Sequence, residues 1–309
     1  MKFFKPKFWD KNHASFFSFL IFPIALLIKL LFFCKIKIIN QKKFSIPIIC
    51  VGNIYIGGTG KTPTCVEIFL ILKKLNKRPS FIRKKYKSFQ DEAFLQKKIG
   101  PVYESKQRAN AIDEAIQNKT NVAILDDGFQ DFSIIKNLSI VCFNEKQWIG
   151  NGFTIPSGPL RENLNSLKRA HCVFINGKKN IVIENQILKI NKLMKIYYTK
   201  YVPQNLEEFK NKRIICFAGI GNPTNFFNLL EQNKINLIEK IDYPDHYNYS
   251  KHEIEKLINK AKRNGAILLT TEKDYLRILP DYKNDIKYLK IKIEIENKDD
   301  FIDQIKKIL

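Results

Sequence analysis

The chain has 309 residues, with 53 Lys and Arg against 30 Asp and Glu and a formal net charge of +23. Hydrophobic residues make up 45% of it, which excludes a disordered polypeptide, and the length suits about two domains. The basic excess fits a polyanion or an anionic membrane face, although a Lys-, Ile- and Asn-rich composition throughout gives the same balance with no partner implied. The six cysteines form no C-x-x-C pair and no zinc-spaced cluster, so they are expected to be small buried hydrophobes in a reducing compartment.

The first feature in chain order is Ser15–Phe33, SFFSFLIFPIALLIKLLFF, interrupted only by Pro23 and Lys29. It is just long enough to cross a bilayer, and no small-residue cleavage site follows it. Lys29 can snorkel, and Trp9 stands where an interfacial anchor would. Lysines flank the run equally: Lys2, Lys5, Lys7 and Lys11 before it, Lys35, Lys37, Lys42 and Lys43 after it. Charge therefore sets no orientation, and spanning, lying in the interface and packing as a core helix all stand open.

Beyond this run the pattern is α/β. Strands are expected at Ile46–Val51, Pro79–Ile82, Pro101–Tyr103, Val122–Leu125, Ser139–Phe143 and Cys172–Asn176, with helices at Thr62–Leu75, Asp91–Lys98 and Arg108–Gln117. Strands alternating with helices imply a parallel, doubly wound sheet. Asn180–Tyr201 breaks the rhythm with apolar–polar alternation and is expected to form antiparallel strands between two domains. The rhythm then restarts: strand Ile214–Ala218, helix Pro223–Gln232, extended Ile235–Ile241, helix Ser250–Arg263, strand Ala266–Thr270 and a final helix Asp300–Leu309.

The strongest motif is Gly57-Gly58-Thr59-Gly60-Lys61-Thr62, between a buried strand and a helix. Glycines let backbone N–H groups face phosphate oxygens, and the helix N-terminus adds partial positive charge. Lys61 would reach the β- and γ-phosphates, and Thr62 would ligate Mg²⁺. The strict G-x-x-x-x-G-K-T form would place glycine where this chain has Tyr55. Asp126-Asp127 follow the apolar strand Val122–Leu125, where a phosphate-loop fold puts an acidic metal partner; a solvated turn before Gly128 is the alternative. On the residues alone, Asp91 reads as a helix N-cap and Pro244–Tyr247 as a loop. Gly158–Glu162 also reads as a loop, though an arginine such as Arg161 can offset charge on a transferring phosphoryl group.

Taken in order, these motifs resemble the tetraacyldisaccharide 4′-kinase family, the lipid A 4′-kinases of Gram-negative bacteria. The carrying residues are Val51-Gly52-Asn53 with Gly57–Pro63, Asp91-Glu92, Asp126–Gln130, Gly150-Asn151-Gly152 with Pro156–Glu162, Phe217–Ile220, Pro244-Asp245-His246 and Leu269–Asp274. The resemblance implies an α/β fold with a phosphate-loop parallel-sheet core, a second, smaller α/β domain, a β linker and an N-terminal membrane-associated helix. The implied boundaries are 1–35 for the helix, 36–178 for the kinase domain, 179–205 for the linker and 206–309 for a C-terminal domain closing over the active site. It implies ATP and Mg²⁺ as cofactors and an acylated glucosamine disaccharide 1-phosphate as the lipid acceptor, with transfer to its 4′-hydroxyl. It further implies a monomer at the cytoplasmic face of the bacterial inner membrane, with no nucleic-acid partner.

Carried over by residue, Asp91 is implied to be the general base and His246 its partner, with Lys61 and Arg161 as cations on the transferring group. Thr62, Glu92, Asp126 and Asp127 are implied to surround the magnesium. Gly57, Gly58, Thr59, Gly60, Lys61, Thr62, Tyr86 and Gln130 are implied to meet the nucleotide. Lys84-Lys85 stand where the family usually shows Arg-Gly, and Asp131 where it commonly has histidine. The rival reading is a membrane-tethered nucleotide switch acting on a protein; Thr271-Glu272-Lys273-Asp274 approaches a guanine-reading motif but places its lysine one position late.

Overall fold

The computed structural model describes residues 6–11, 13–85 and 90–309, apart from the side chains of Lys7, Gln90 and Asp91. The described chain forms two compact units. Of these, the larger contains residues 6–11, 13–85, Gln96–Lys200 and Ile293–Leu309, and the smaller contains residues 90–95 and Tyr201–Lys292.

The larger unit opens with a short 3₁₀ turn, Lys7–Asp10, and helix α1, Phe16–Ile38, whose N-cap Ser15 accepts from the Ser18 backbone N–H. The core elements follow as β1 (Ile48–Gly52), α2 (Lys61–Lys74), β2 (Pro79–Lys84), β3 (Val102–Ser105), α4 (Arg108–Gln117), β4 (Val122–Asp126), β5 (Leu138–Asn144), β6 (Cys172–Asn176), α5 (Ile181–Ile190) and β7 (Lys195–Pro203), with α3 (Gln90–Lys97) between β2 and β3 in the chain and its residues 90–95 in the smaller unit. The smaller unit carries β8 (Arg213–Ala218), α6 (Pro223–Gln232), β9 (Asn236–Asp242), α7 (Lys251–Arg263), β10 (Ile267–Thr271), α8 (Glu272–Arg277) and β11 (Ile286–Leu289). After these come β12 (Ile291–Ile295) and α9 (Lys298–Lys306).

Eight strands form the larger sheet in the order β12-β7-β6-β5-β1-β4-β2-β3. From β7 to β3 the neighbours pair in parallel. Side-chain alternation splits each strand between two cores. Ile48, Cys50, Ala123 and Leu125 pack with Ala111 and Ile112 of α4 and with Ile183 and Ile187 of α5. Ile49, Val51, Val122 and Ile124 pack with Ile68 and Leu72 of α2 and with Phe301 and Ile305 of α9. Helices thus cover both faces, which is why the central strands read as unbroken apolar runs. Chain order reverses beside β1, so the loop after β1 opens at a topological switch point, where open parallel sheets bind ligands.

The smaller sheet, in the order β11-β10-β8-β9, is also parallel throughout. Its two cores lie on opposite faces, one against Phe226, Phe227 and Leu230 of α6 and the other against Ile254, Leu257 and Ile258 of α7. Its own switch point falls between β8 and β10.

One expectation is corrected. Residues 180–201 are not antiparallel strands: 181–190 form helix α5, and β7 pairs with β6 in parallel. Asn180 caps that helix by accepting from the Val182 and Ile183 N–H groups, and only Ile183 and Ile187, one turn apart, are buried. Of the readings left open for helix α1, packing as a core helix does not hold. Only its Ser18 and Ala25 are buried, and Phe16 is 77% exposed. It is long and apolar enough to cross a membrane. Five of the six cysteines are buried as expected, and Cys34 is exposed on α1.

Candidate active site

On the larger unit, the loop after β1 is braced from inside by Asn53. Its buried amide donates to Tyr55 O at 2.5 Å and to Thr59 Oγ1 at 3.0 Å. Gly57 and Gly60 take φ of +100° and +88°, the left-handed turns that a side chain would resist. These two residues supply the freedom the loop needs. Tyr55 is instead a fully buried anchor whose hydroxyl donates to Asp10. Among the described residues no side chain caps α2, which begins at Lys61, so its first N–H groups are left for an anion.

Lys61 Nζ lies 3.6 Å from Asp127 Oδ1, and Arg161 Nη1 donates to the same oxygen at 2.8 Å. Asp127 itself sits at φ +54°, a strained setting that tends to mark functional positions. Burial pushes its carboxyl up, but Lys61 and Arg161, with Arg108 further off, outweigh burial and hold it below the usual carboxylate range. Two cations on one carboxylate leave positive charge at the loop, as a triphosphate requires.

Asp126, at the end of β4, is buried, and its Oδ2 is held by Arg83 and by Gln96 Nε2 at 2.9 Å. Arg108 donates to the Asp126 and Asp127 carbonyls at 3.2 and 2.8 Å and to Asp131 Oδ2 at 3.2 Å. Asp131 is therefore an ion-pair partner of the arginine that fixes the Asp-Asp turn. Gln130 donates to Asn53 O at 3.0 Å and to Glu162 Oε1 at 3.1 Å, tying that turn to the loop. Thr62 is buried one residue into α2.

The donor chemistry around the loop suits magnesium. Thr62, Asp126 and Asp127 offer only oxygen, and Mg²⁺ typically uses one or two carboxylates with phosphate oxygens and water. Among the described residues no three His, Cys, Asp or Glu side chains converge as a metal cage.

On the smaller unit, Asp91 lies in the first turn of α3, with its side chain outside the described residues. Tyr86 lies outside them altogether. Glu92 Oε1 is 2.7 Å from Lys273 Nζ. His246 has φ +55°, and its N–H donates to Gly219 O at 3.0 Å. The near-match to a guanine-reading motif is the cap and first turn of α8: Thr271 accepts from Asp274 N–H, and Asp274 is fully buried.

Asn53 stands in a motif singled out in the sequence, without its bracing role, whereas Arg83, Gln96 and Arg108 were not among the expected site residues. A signal existed for two of these three. Arg83 continues the strand expected at Pro79–Ile82 and Arg108 opens the helix expected after Pro101–Tyr103, and charged residues at those junctions lie on the ligand-binding edge of a parallel sheet.

Fold and site together define a phosphate-loop α/β protein of the nucleotide-binding kind, with a cationic cluster at its loop. A family model described as tetraacyldisaccharide-1-P 4′-kinase, LpxK, matches residues 17–309. The chain is 45% identical to a tetraacyldisaccharide 4′-kinase of Pelagibacter ubique (strain HTCC1062), over 100% of this chain and 99% of that one. It is 32% identical to the enzyme of the same description from Rickettsia canadensis (strain McKiel), over 94% and 93%. Among solved structures, the "apo" form of LpxK from Aquifex aeolicus in complex with ATP aligns with a TM-score of 0.69 and 25% identity, over 94% of this chain and 97% of that one. The chain belongs to the tetraacyldisaccharide-1-P 4′-kinase family.

Proposed function

We propose that this chain transfers the γ-phosphoryl group of ATP to the 4′-hydroxyl of a tetraacylated glucosamine disaccharide 1-phosphate during lipid A biosynthesis. It is an ATP-dependent kinase acting on a lipid A precursor. Within the site, the convergence of Lys61 and Arg161 on Asp127 beside the Gly57–Thr62 loop carries this reading.

The chain's own residues do the following in this proposal. Backbone N–H groups of Gly57, Gly58, Thr59 and Gly60 with α2 cradle the phosphates, and Lys61 and Arg161 offset charge on the transferring group. Asp127 keeps both cations aimed at one point before substrate arrives. Asp91 accepts the hydroxyl proton, and His246 keeps Asp91 ionised and oriented. Tyr86 and Gln130 contact the nucleotide. Magnesium, held by Thr62, Asp126 and Asp127 with Glu92, would neutralise developing phosphate charge. Arg161 bears on both roles, since it fixes Asp127 as well as meeting phosphate.

The described division of the chain also enters this reading. A separate domain beginning near residue 206 is supported by a second sheet built wholly from Arg213–Leu289, whereas β7, β12 and α9 join the larger unit, so the kinase domain runs past residue 178 and takes in the last residues of the chain.

The enzyme works at the cytoplasmic face of the bacterial inner membrane, where ATP is. Helix α1 lies in the membrane interface in this proposal. Ser18 accepts from Asn151 Nδ2 at 3.0 Å, Phe19 and Phe22 flank Phe153, and Phe32 meets Phe132. Contacts spread over so many turns keep one stripe on the larger unit, leaving Leu20, Ile24, Leu27 and Leu31 exposed for lipid.

Incubation of purified protein with ATP, Mg²⁺ and the acylated disaccharide 1-phosphate is expected to yield a product heavier by one phosphate. ATP hydrolysis stimulated by a protein and indifferent to lipid would support a nucleotide switch instead.

A further inference from the structure

Helix α8 is only six residues long, yet three of its side chains reach backbone or carboxylate groups next to His246 and Asp91. It leaves β10 at the switch point of the smaller sheet, beside the chain leaving β8 at Gly219.

Asp274 is fully buried, accepts three hydrogen bonds and makes one ion pair. Its Oδ1 takes the Gly219 N–H at 3.0 Å and the Tyr249 hydroxyl at 2.8 Å and pairs with Arg277 Nη2 at 3.0 Å, and its Oδ2 takes the Thr271 hydroxyl at 2.6 Å. Arg277 donates to Gly219 O at 3.0 Å and to Tyr247 O at 3.1 Å. The residue Gly219 is thus gripped at its N–H by Asp274 and at its carbonyl by Arg277. That same carbonyl receives the His246 N–H, and Tyr247 follows His246 in the chain. The grip has no slack: a Cβ on Gly219 would lie 2.9 Å from Tyr249 Oη and 3.0 Å from Tyr247 Cβ. His246 stands at φ +55°, a conformation that persists only when neighbours over-determine it. On the adjoining position of α8, Lys273 Nζ holds Glu92 Oε1 at 2.7 Å, next in chain to Asp91.

We propose that α8 is the positioning element for the proton-handling pair: Asp274 and Arg277 set the backbone of His246, and Lys273, through Glu92, sets the turn that carries Asp91. The proposal rests on the reading above in which Asp91 is the base and His246 its partner. None of the three α8 residues touches the reacting atoms. Their effect is to remove the search for a productive arrangement, and misplacement by about 1 Å costs on the order of 10²-fold in rate.

The test is a set of double-mutant cycles on the full-length protein, with kcat and the KM for ATP as readouts. Arg277→Lys and Asp274→Asn are each expected to lower kcat about ten- to a hundredfold, leaving the KM for ATP within about twofold. In a His246→Ala background the same substitutions are expected to lower kcat by less than about twofold, because the residue they act through is gone. Lys273→Met, at a partly exposed pair and so tolerant in folding, is expected to lose turnover in the wild-type background, to lose none further in an Asp91→Ala background, and to be largely restored as Lys273→Arg. Equal losses in both backgrounds, or a KM for ATP that rises with the loss, would overturn the proposal. Full turnover in His246→Ala would instead overturn the assignment of His246 on which it stands.

Discussion

Arg161 and Lys61 meet on a single oxygen, Asp127 Oδ1, at 2.8 and 3.6 Å. The first comes from the loop after β5 and the second from the start of α2, so parallel-sheet order alone brings them together. Asp127 belongs to the turn after β4, and its N–H donates to Val51 O of β1, placing the carboxylate directly over the phosphate loop.

If these cations stabilise the transferring group, Lys61→Ala and Arg161→Ala should each lower kcat by roughly 10²–10³-fold, the cost of removing one group aimed at developing charge. Arg161→Lys should recover only part of the loss, because a point charge cannot reproduce the planar guanidinium. Steady-state kinetics on folded variants checks this, and near-normal turnover in either alanine variant would count against its role.

The Arg108–Asp131 pair sets a pH dependence. Burial pushes the Asp131 carboxyl up, but the Ser133 hydroxyl and backbone N–H and the Arg108 guanidinium bring it below the ordinary carboxylate value. A depressed native value means that its stabilisation is fully present above the unfolded value of about 3.9 and is lost as pH falls through the lower native one. Asp131→Asn should therefore cost about 1–3 kcal/mol at neutral pH. The gap to wild type should close as pH drops below about 4. Urea denaturation at several pH values measures it; a gap independent of pH would refute the pairing.

Tyr55 offers a separate check on the loop. Its ring is buried and its hydroxyl reaches Asp10, so the segment before α1 is fastened to the strand-to-loop junction. Tyr55→Phe should lower stability by about 1 kcal/mol through the lost hydrogen bond from the Tyr55 hydroxyl to Asp10, as read from denaturation midpoints. Tyr55→Gly, which restores the strict motif, should be worse, because the loop already turns at Gly57 and Gly60 and would only lose a packed ring.

The exposed stripe of α1 should govern lipid binding. Leu27→Asp with Leu31→Asp places two charges one turn apart on the outward face. Co-sedimentation with anionic vesicles should fall by at least about tenfold, while turnover on detergent-dispersed substrate persists. Unchanged vesicle binding would remove α1 from the membrane reading.

Contiguous chemistry was legible in the sequence. The glycine loop, its flanking strand and helix, and Asp126-Asp127 at a strand end carry their meaning within a few residues. Arg83 and Arg108 gave only a positional signal, since their partners depend on β2 and β4 being neighbours and on α4 beginning beside the turn after β4. α5 was misread because Ile181, Val182 and Ile183 have the β-branched character of a strand. The Asn180 cap and the i, i+4 burial of Ile183 and Ile187 override that propensity. α8 escaped notice because six residues give no period to detect, although its charged side chains organise the smaller unit's switch point.

The proposed reaction puts phosphate on one hydroxyl of a lipid sugar, and ³¹P–¹H correlation spectroscopy of the lipid product formed from ATP reads out which one. The expected result is a new phosphate coupled to the proton on the 4′ carbon of the distal glucosamine. A phosphate elsewhere on the acceptor, or ADP released at the same rate without any lipid, would contradict it.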